Sequence, residues 1–492
     1  MGRLPTDSLV SCVCGVGAVV LSIVAVPDAV AAEKDAWFTL TLAGARCGWM
    51  HESTRASEGS VETINETHMT LGRAGAQATV ALSWRFVESP PGTAKSCEVT
   101  SDAGGEASRV TYRFEDTDLV VVQRVGGRDS ERREKLPAQR WLTPSQVETL
   151  TQHSRTAQVL EFEYTTLDPS GGMRAISMLC TPVSRSDQGS TWKAQNRTLN
   201  LTSMEQVDAE GELLSSRTAL GIGELVAQRA TKEEALKRIT GPSLDVITQS
   251  IVVLDAPHPA LATASRAVLR VTGPETGLLL PSAGAQAVKA GASARDAEVT
   301  VSVGGSTKAT VDELRDPSFL ASTLMIDASD ARVKELSARA IETAGLSATS
   351  THGQMAEALR AFVASYIHRK GLATAYASAS AVARSRSGDC SEHAMLLAAL
   401  LRARGIPSRV AGGLVYADEF AGKKSVFAWH MWTQGLIDGE WVDFDATLRD
   451  RSFHPGHLLI ATSAQDEPSI DADFSTMLST IGMIKIEVLR VD

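Results

Sequence analysis

The sequence predicts an α+β chain in which a long antiparallel β-rich stretch precedes a helix-and-sheet unit at the C-terminus. Three observations carry this. From Ala36 to about Val226, short segments alternate apolar and polar residues between clusters of Gly, Ser and Asp. After Asp312 the apolar period lengthens to that of amphipathic helices. Beyond Cys390, a capped helix is followed by paired strands around Asp438-Gly439.

Residues 1–32 stand apart. Arg3 precedes an apolar run from Leu9 to Val26, Pro27 breaks it, and Ala29-Val30-Ala31 is a small-residue cleavage pattern. A signal peptide cleaved after Ala31 or Ala32 is expected, with an uncleaved membrane anchor as the alternative. Either implies export, to a periplasmic or extracellular location. After Ala32 no segment is apolar for long enough to span a bilayer. The whole chain has 492 residues, 43% hydrophobic and 22% charged, with a formal net charge of −10. That balance suits a soluble globular protein and argues against a nucleic-acid surface, which needs a basic patch to meet phosphates. Export means an oxidising compartment. Past the signal segment the chain keeps Cys47, Cys97, Cys180 and Cys390, too few for a disulfide scaffold. A bridge among the first three stays open.

Residues 33–228 read as one antiparallel β-rich domain, curved or barrel-like. Trp37 to Leu42, Ala78 to Trp84, Val110 to Phe114, Leu119 to Gln123, Val159 to Tyr164 and Met173 to Leu179 are its clearest strands. A helix from Pro144 to His153 interrupts it. Residues 229–310 read as a smaller β-rich region: a short charged helix from Thr231 to Ile239, then strands at Ile251–Leu254, Ala267–Val271 and Ala297–Val303. Residues 311–492 form the last unit. Asp330 to Ala344 reads as a helix. A second begins at the Thr351/Gln354 capping box and turns Met355, Leu359, Phe362, Val363, Tyr366 and Ile367 to one side.

Chemistry concentrates in that unit. In Gly388-Asp389-Cys390-Ser391-Glu392-His393-Ala394, Asp389 and Glu392 have capping-box spacing, so Cys390 becomes the first helical residue. Met395, Leu396, Leu397, Leu400 and Leu401 give the helix a buried side, and Gly405 with Pro407 ends it. A helix N-terminus stabilises a thiolate by roughly 0.3–2 kcal/mol. Asp389 and Glu392 oppose that, so a cationic partner is required. His430 is placed to supply it. Phe427 to Leu436 reads as a strand, Asp438-Gly439 as a two-residue hairpin turn, and Trp441 to Asp445 as the returning strand. Counting back from the turn, Ile437 faces Glu440 and Trp432 faces Asp445. His430 and Asp445 are then diagonal neighbours on one face, roughly 7–8 Å apart at Cα and within side-chain reach. The roles that follow are Cys390 as nucleophile, His430 as general base and then acid, and Asp445 as the group that orients the imidazole.

These residues also carry a resemblance. Gly388 to Ala394, Arg404-Gly405-Ile406-Pro407-Ser408-Arg409-Val410, His430-Met431-Trp432 and Gly439-Glu440-Trp441-Val442-Asp443-Phe444-Asp445-Ala446-Thr447 resemble the transglutaminase-like core of exported bacterial proteins, over about residues 315 to 460. The resemblance implies a papain-like α+β core and thiol acyl transfer, with Cys390, His430 and Asp445 in the roles just given. Where the family often has Asp-Pro-Thr, this chain has Asp445-Ala446-Thr447, a change expected to leave the carboxylate in place. Members include cross-linkers, peptidases, amidases and proteins without demonstrated activity, so the reaction stays open between hydrolysis and transfer of an amide or peptide bond. The partner expected is a protein or peptide, cell-envelope material included. No cofactor is expected, and no calcium loop of the EF-hand kind is present.

Two other readings stand beside this one. An inert relative would use the core and its β domains for binding or envelope assembly. A metal site would draw on Cys390, His393, His430 and Asp445, which have acceptable types but lack a compact paired spacing. Among neighbours, Glu392 reads as a cap, His393 as packing or hydrogen-bonding behind the site, Trp432 either as a shield over the His–Asp pair or as plain core, and Tyr376 as a contributor from the preceding loop.

Overall fold

The computed structural model describes residues 33–73, 76–102, 107–125, 128–157, 159–170, 172–199, 201–240, 244–274, 277–347, 349–369, 377–465 and 482–492. Residues 1–32, expected to be a signal peptide, and Tyr376 lie outside them. Among the described residues, no helix is long and apolar enough to cross a membrane.

Strands between Lys34 and Ala230 form one 14-stranded antiparallel sheet. Its middle is the pairing of Lys34–Leu42 with Gly223–Ala230, in a register that sets Trp37 opposite Ala230. Eight strands step outward from there to Arg128–Lys135, and the other six to Phe162–Asp168. Tight turns make the meander. At Ala43-Gly44 both residues have positive φ, 49° and 80°, the two-residue turn that matches strand twist. The sheet curves without closing, because its two edge strands do not pair with each other. Burial drives the curvature: Phe86, Val99, Val110, Tyr112, Leu119 and Val121 from one wing pack with Leu167 and Met173 from the other. The expected helix is present as Pro144–Thr156. The fully buried Glu88 fastens it, accepting from Ser145 N at 3.0 Å, from Thr143 Oγ1 at 2.8 Å and from Ser145 Oγ. Cys47, Cys97 and Cys180 are free thiols in three different core clusters, so no bridge joins them.

The strands between 252 and 308 are built into the C-terminal part. Arg266–Thr272, Gln286–Ala290 and Asp296–Ser302 make a four-stranded sheet with the last strand of the chain, Lys485–Val491. Val252–Val253 pairs with the strand Lys423–Ile437, and Thr307–Lys308 pairs with Glu440–Phe444. Their side chains share one core. Leu269, Val271, Val299 and Val301 pack with Leu414, Phe427, Trp432 and Leu458. Sequence periodicity alone cannot see this merger, because each pairing with the C-terminal part bridges more than a hundred residues.

The C-terminal core is a helix cluster laid on a sheet. Helices Ala331–Thr343, His352–Tyr366 and Ala379–Ser385 surround the helix Cys390–Arg402. Leu396, Leu397, Leu400 and Leu401 are fully buried, which marks a helix enclosed on all sides rather than amphipathic. Beneath it lie the strands Ser408–Phe420, Lys423–Ile437, Glu440–Phe444 and His457–Ser463. On the helix His352–Tyr366 the buried side contains Ala356, Leu359, Arg360, Val363 and Ala364. Met355, Phe362 and Tyr366 pack at its margin, and a charged residue the periodicity passes over, Arg360, points inward.

Candidate active site

The Cys390 helix starts as its sequence dictates. Asp389 is the N-cap and Oδ1 accepts from Ser391 N at 3.0 Å, while Glu392 Oε2 accepts from Asp389 N at 2.8 Å. Gly388 is required here, because a Cβ would overlap the Glu392 side chain folded beneath it. Glu392 is fully buried, and its other oxygen accepts from Ala377 N at 3.1 Å. Burial, with the Asp389 charge beside it, pushes the Glu392 carboxyl up to about 7. One of the two anions flanking the thiol is therefore only partly ionised near neutral pH. The helix is pinned to the sheet by Thr433 Oγ1 donating to Ala394 O at 3.0 Å and Ser408 Oγ donating to Ala398 O at 3.0 Å. These bonds bring the start of the helix to the strand that carries His430.

The hairpin has the expected register. Ile437 faces Glu440 and Thr433 faces Phe444, and Asp438 and Gly439 both have positive φ, 51° and 83°. Regular pairing stops at Phe444, one residue before Asp445. Asp445 N donates to Ser452 O at 2.7 Å, which turns the chain and keeps the carboxylate toward His430. His430 Nε2 and Asp445 Oδ2 are 2.8 Å apart. Cys390 acts on the same imidazole and pushes it up, and with Nε2 on Asp445 the nitrogen left for sulfur is Nδ1. The three residues expected to act together are thus brought together.

The pair is shielded from water, with the His430 side chain 11% exposed and the Asp445 side chain 1%. Burial pulls the His430 imidazole down, but the Asp445 charge and hydrogen bond, joined by Cys390, push it up to about 10. Asp445 is held well below the usual carboxylate range, because His430 and His457 outweigh its burial. The Trp432 ring lies 6.2 Å from His430 in a near-parallel arrangement and is 1% exposed, the shielding position expected of it.

Sequence reasoning misses three members of the site. His457, on the strand His457–Ser463, reaches Asp445 Oδ2 through Nε2 at 3.0 Å. Thr447 donates through N at 2.8 Å and Oγ1 at 2.7 Å to Asp445 Oδ1, so the Asp-x-Thr spacing is a local clasp on the carboxylate. Arg360 donates to the carbonyls of Asp445, at 3.4 Å, and Leu448. The run Phe453-His454-Pro455-Gly456-His457 is the one sequence signal that points to the first of these.

The four-residue metal set is not assembled. His393 Nδ1 lies 2.5 Å from the carbonyl of its own cap residue, Asp389. Among the described residues the group with metal-ligand spacing is His430, Asp445 and His457 instead, with ligand atoms within 4.8 Å of one another. Its N···O separations of 2.8 and 3.0 Å are those of shared protons. Two ligands on a zinc ion at roughly 2.0–2.1 Å would stand roughly 3.3 Å apart.

Residues 338–446 match the family model of the transglutaminase-like superfamily. That stretch contains Cys390, His430 and Asp445. Residues 338–446 are a transglutaminase-like core. No curated protein matches the chain. The solved structures that match include the following two. One, from Cytophaga hutchinsonii, is named a "putative cysteine protease"; it is 17% identical, with 49% of this chain and 88% of that one covered and a TM-score of 0.29. The other, from Parabacteroides distasonis, is named a "putative protease"; it is 12% identical, with 72% and 69% covered and a TM-score of 0.18. In the transglutaminase-like core, the Cys390 helix supplies a thiol and the hairpin an imidazole–carboxylate pair.

Proposed function

We propose that this chain is an exported cysteine acyl-transfer enzyme that cleaves or transfers an amide or peptide bond through a thioester on Cys390. One observation carries the reading: a single imidazole, His430, has its Nε2 2.8 Å from the buried carboxylate of Asp445 and is pushed up by both Asp445 and Cys390. In the proposed cycle His430 takes the thiol proton as sulfur attacks the acyl carbon. It returns that proton to the leaving nitrogen, and Asp445 steadies the imidazolium throughout. Water or an amine then attacks the thioester. The Cys390 N–H at the helix start is a donor for the oxyanion. Hydrolysis is favoured over cross-linking. The substrate class is protein or peptide in the periplasm or outside the cell.

A peptide library incubated with the purified chain, with and without added primary amines, tests this. Cleavage that needs Cys390 and shows no amine incorporation establishes hydrolysis, and labelled-amine incorporation establishes transfer. Absence of both, from a chain whose Cys390 is unreactive, would sink the proposal.

A further inference from the structure

The geometry points to His457 as a positioning residue: a buried imidazolium that shares Asp445 with His430 and offsets the carboxylate charge, so that His430 can release its proton. This rests on the proposed Cys390–His430–Asp445 reading and adds a fourth member to it.

Donors and acceptors fix the protonation state. His457 Nδ1 lies 2.8 Å from the carbonyl oxygen of His454, and a carbonyl only accepts, so this nitrogen carries a hydrogen. Nε2 lies 3.0 Å from Asp445 Oδ2. Asp445 is held ionised, so that contact is favourable only with a hydrogen on the second nitrogen as well. A ring with both nitrogens protonated is a cation. Alone it would be costly to bury, since its side chain is 0% exposed, but against Asp445 it is paired.

The surroundings leave room for one charge. Phe453 stacks on the ring at 4.3 Å and Trp432 meets it edge-on at 5.1 Å. His454, 4.3 Å away, accepts from Gly456 N at Nδ1; burial, followed by the His457 charge, pushes it down to about 2, so it stays neutral. Asp443, the other nearby carboxylate, is engaged by Ala285 N and Trp432 Nε1, both at 2.6 Å, and by Gln434 Nε2 at 2.8 Å.

His430 and His457 then face Asp445 and the Cys390 thiolate, two cations against two anions. When the His430 proton moves to sulfur or to a leaving nitrogen, His457 and Asp445 remain paired and the pocket gains no uncompensated charge behind the imidazole. Without the His457 charge, Asp445 would hold the His430 proton alone. The thiolate would form readily, but the imidazolium would give up its proton less easily.

Labelling of the histidine ring nitrogens in the full chain, assigned with His457→Gln, reads the protonation directly. Two protonated nitrogens on His457 at neutral pH are expected. The pH profile of Cys390 alkylation by iodoacetamide, followed by mass spectrometry, reads the consequence. In His457→Gln, whose amide can still donate to Asp445 without a charge, the inflection that reports loss of the His430 proton moves up by about one pH unit or more. His457→Phe, lacking donor and charge, alkylates more slowly than His457→Gln. A singly protonated His457 ring in the parent chain overturns the proposal. Superimposed parent and Gln profiles overturn it too. A parent Cys390 no more reactive than a free thiol overturns the triad reading instead, so the two failures are distinguishable.

Discussion

Replacing Asp445 by Asn removes the charge while keeping the shape, and its consequence can be worked from the geometry. One oxygen faces His430 and His457 nitrogens and the other faces Thr447 N and Oγ1, so every direction around the carboxylate offers a donor. An amide NH2 on the Thr447 side would meet a backbone N–H, with only the Thr447 hydroxyl able to turn and accept. His430 stands at about 10 against an ordinary 6.5, with Asp445 the larger upward influence and Cys390 the smaller. Asp445 is therefore the main support of the imidazolium against its burial. Without it, only Cys390 opposes burial and the ring falls. Alkylation of Cys390 by iodoacetamide, measured between about pH 5 and 10 with this shift in view, should show it. The parent is expected to react through a thiolate–imidazolium pair across mildly acidic and neutral pH. Asp445→Asn should lose a factor of about a hundred or more near pH 6, and recover only as the thiol ionises unaided. Superimposed profiles would refute the reasoning, because the His430–Asp445 contact would then do nothing for the thiol.

Other expectations follow from the same contacts. Because the folded-state value of His430 is raised, its contribution to stability is fully present below pH 6.5 and is lost as pH rises through about 10; Asp445, depressed, contributes above the ordinary carboxylate range and loses it on acidification. Thermal unfolding across pH should therefore show a plateau that declines at both ends, flatter in Asp445→Asn. Thr447→Val removes one of the two bonds to Asp445 Oδ1 and should cost about 1 kcal/mol, with a modest loss of Cys390 reactivity. Arg360→Met leaves the Asp445 and Leu448 carbonyls without their buried donor and should cost about 1–3 kcal/mol, seen as a lower unfolding midpoint. Gly388→Ala forces a Cβ into Glu392 and should lower both the unfolding midpoint and Cys390 reactivity, while Gly439→Ala, with nothing near its Cβ, should strain only the turn.

Local signals made the site legible. The capping box placed Cys390 at a helix start, and the Asp438-Gly439 turn fixed the register that puts His430 beside Asp445. Each depends on residues a few positions apart. His457 was not legible, because its strand joins the sheet through Ser408–Phe420 and meets Asp445 across the fold rather than along it. Arg360 was hidden for another reason: periodicity sorts residues by polarity, and an arginine turned inward to hold two carbonyls breaks that sort. The strands between 252 and 308 were recognisable as strands, yet their partners, Lys485–Val491 and the hairpin strands, are set by tertiary packing. The N-terminal sheet was visible as alternation, while its 14-strand continuity through the pairing of Lys34–Leu42 with Gly223–Ala230 was not.

The central claim is that Cys390 is a thiol activated by His430. The most direct test is its alkylation rate by iodoacetamide near pH 6, read by peptide mass spectrometry beside a free thiol and His430→Ala; the buried Cys47, Cys97 and Cys180 serve as internal controls. The account predicts stoichiometric labelling confined to Cys390, at least tenfold faster than the free thiol, and loss of that advantage in His430→Ala. A Cys390 that reacts no faster than the free thiol, at a rate indifferent to His430, would contradict it.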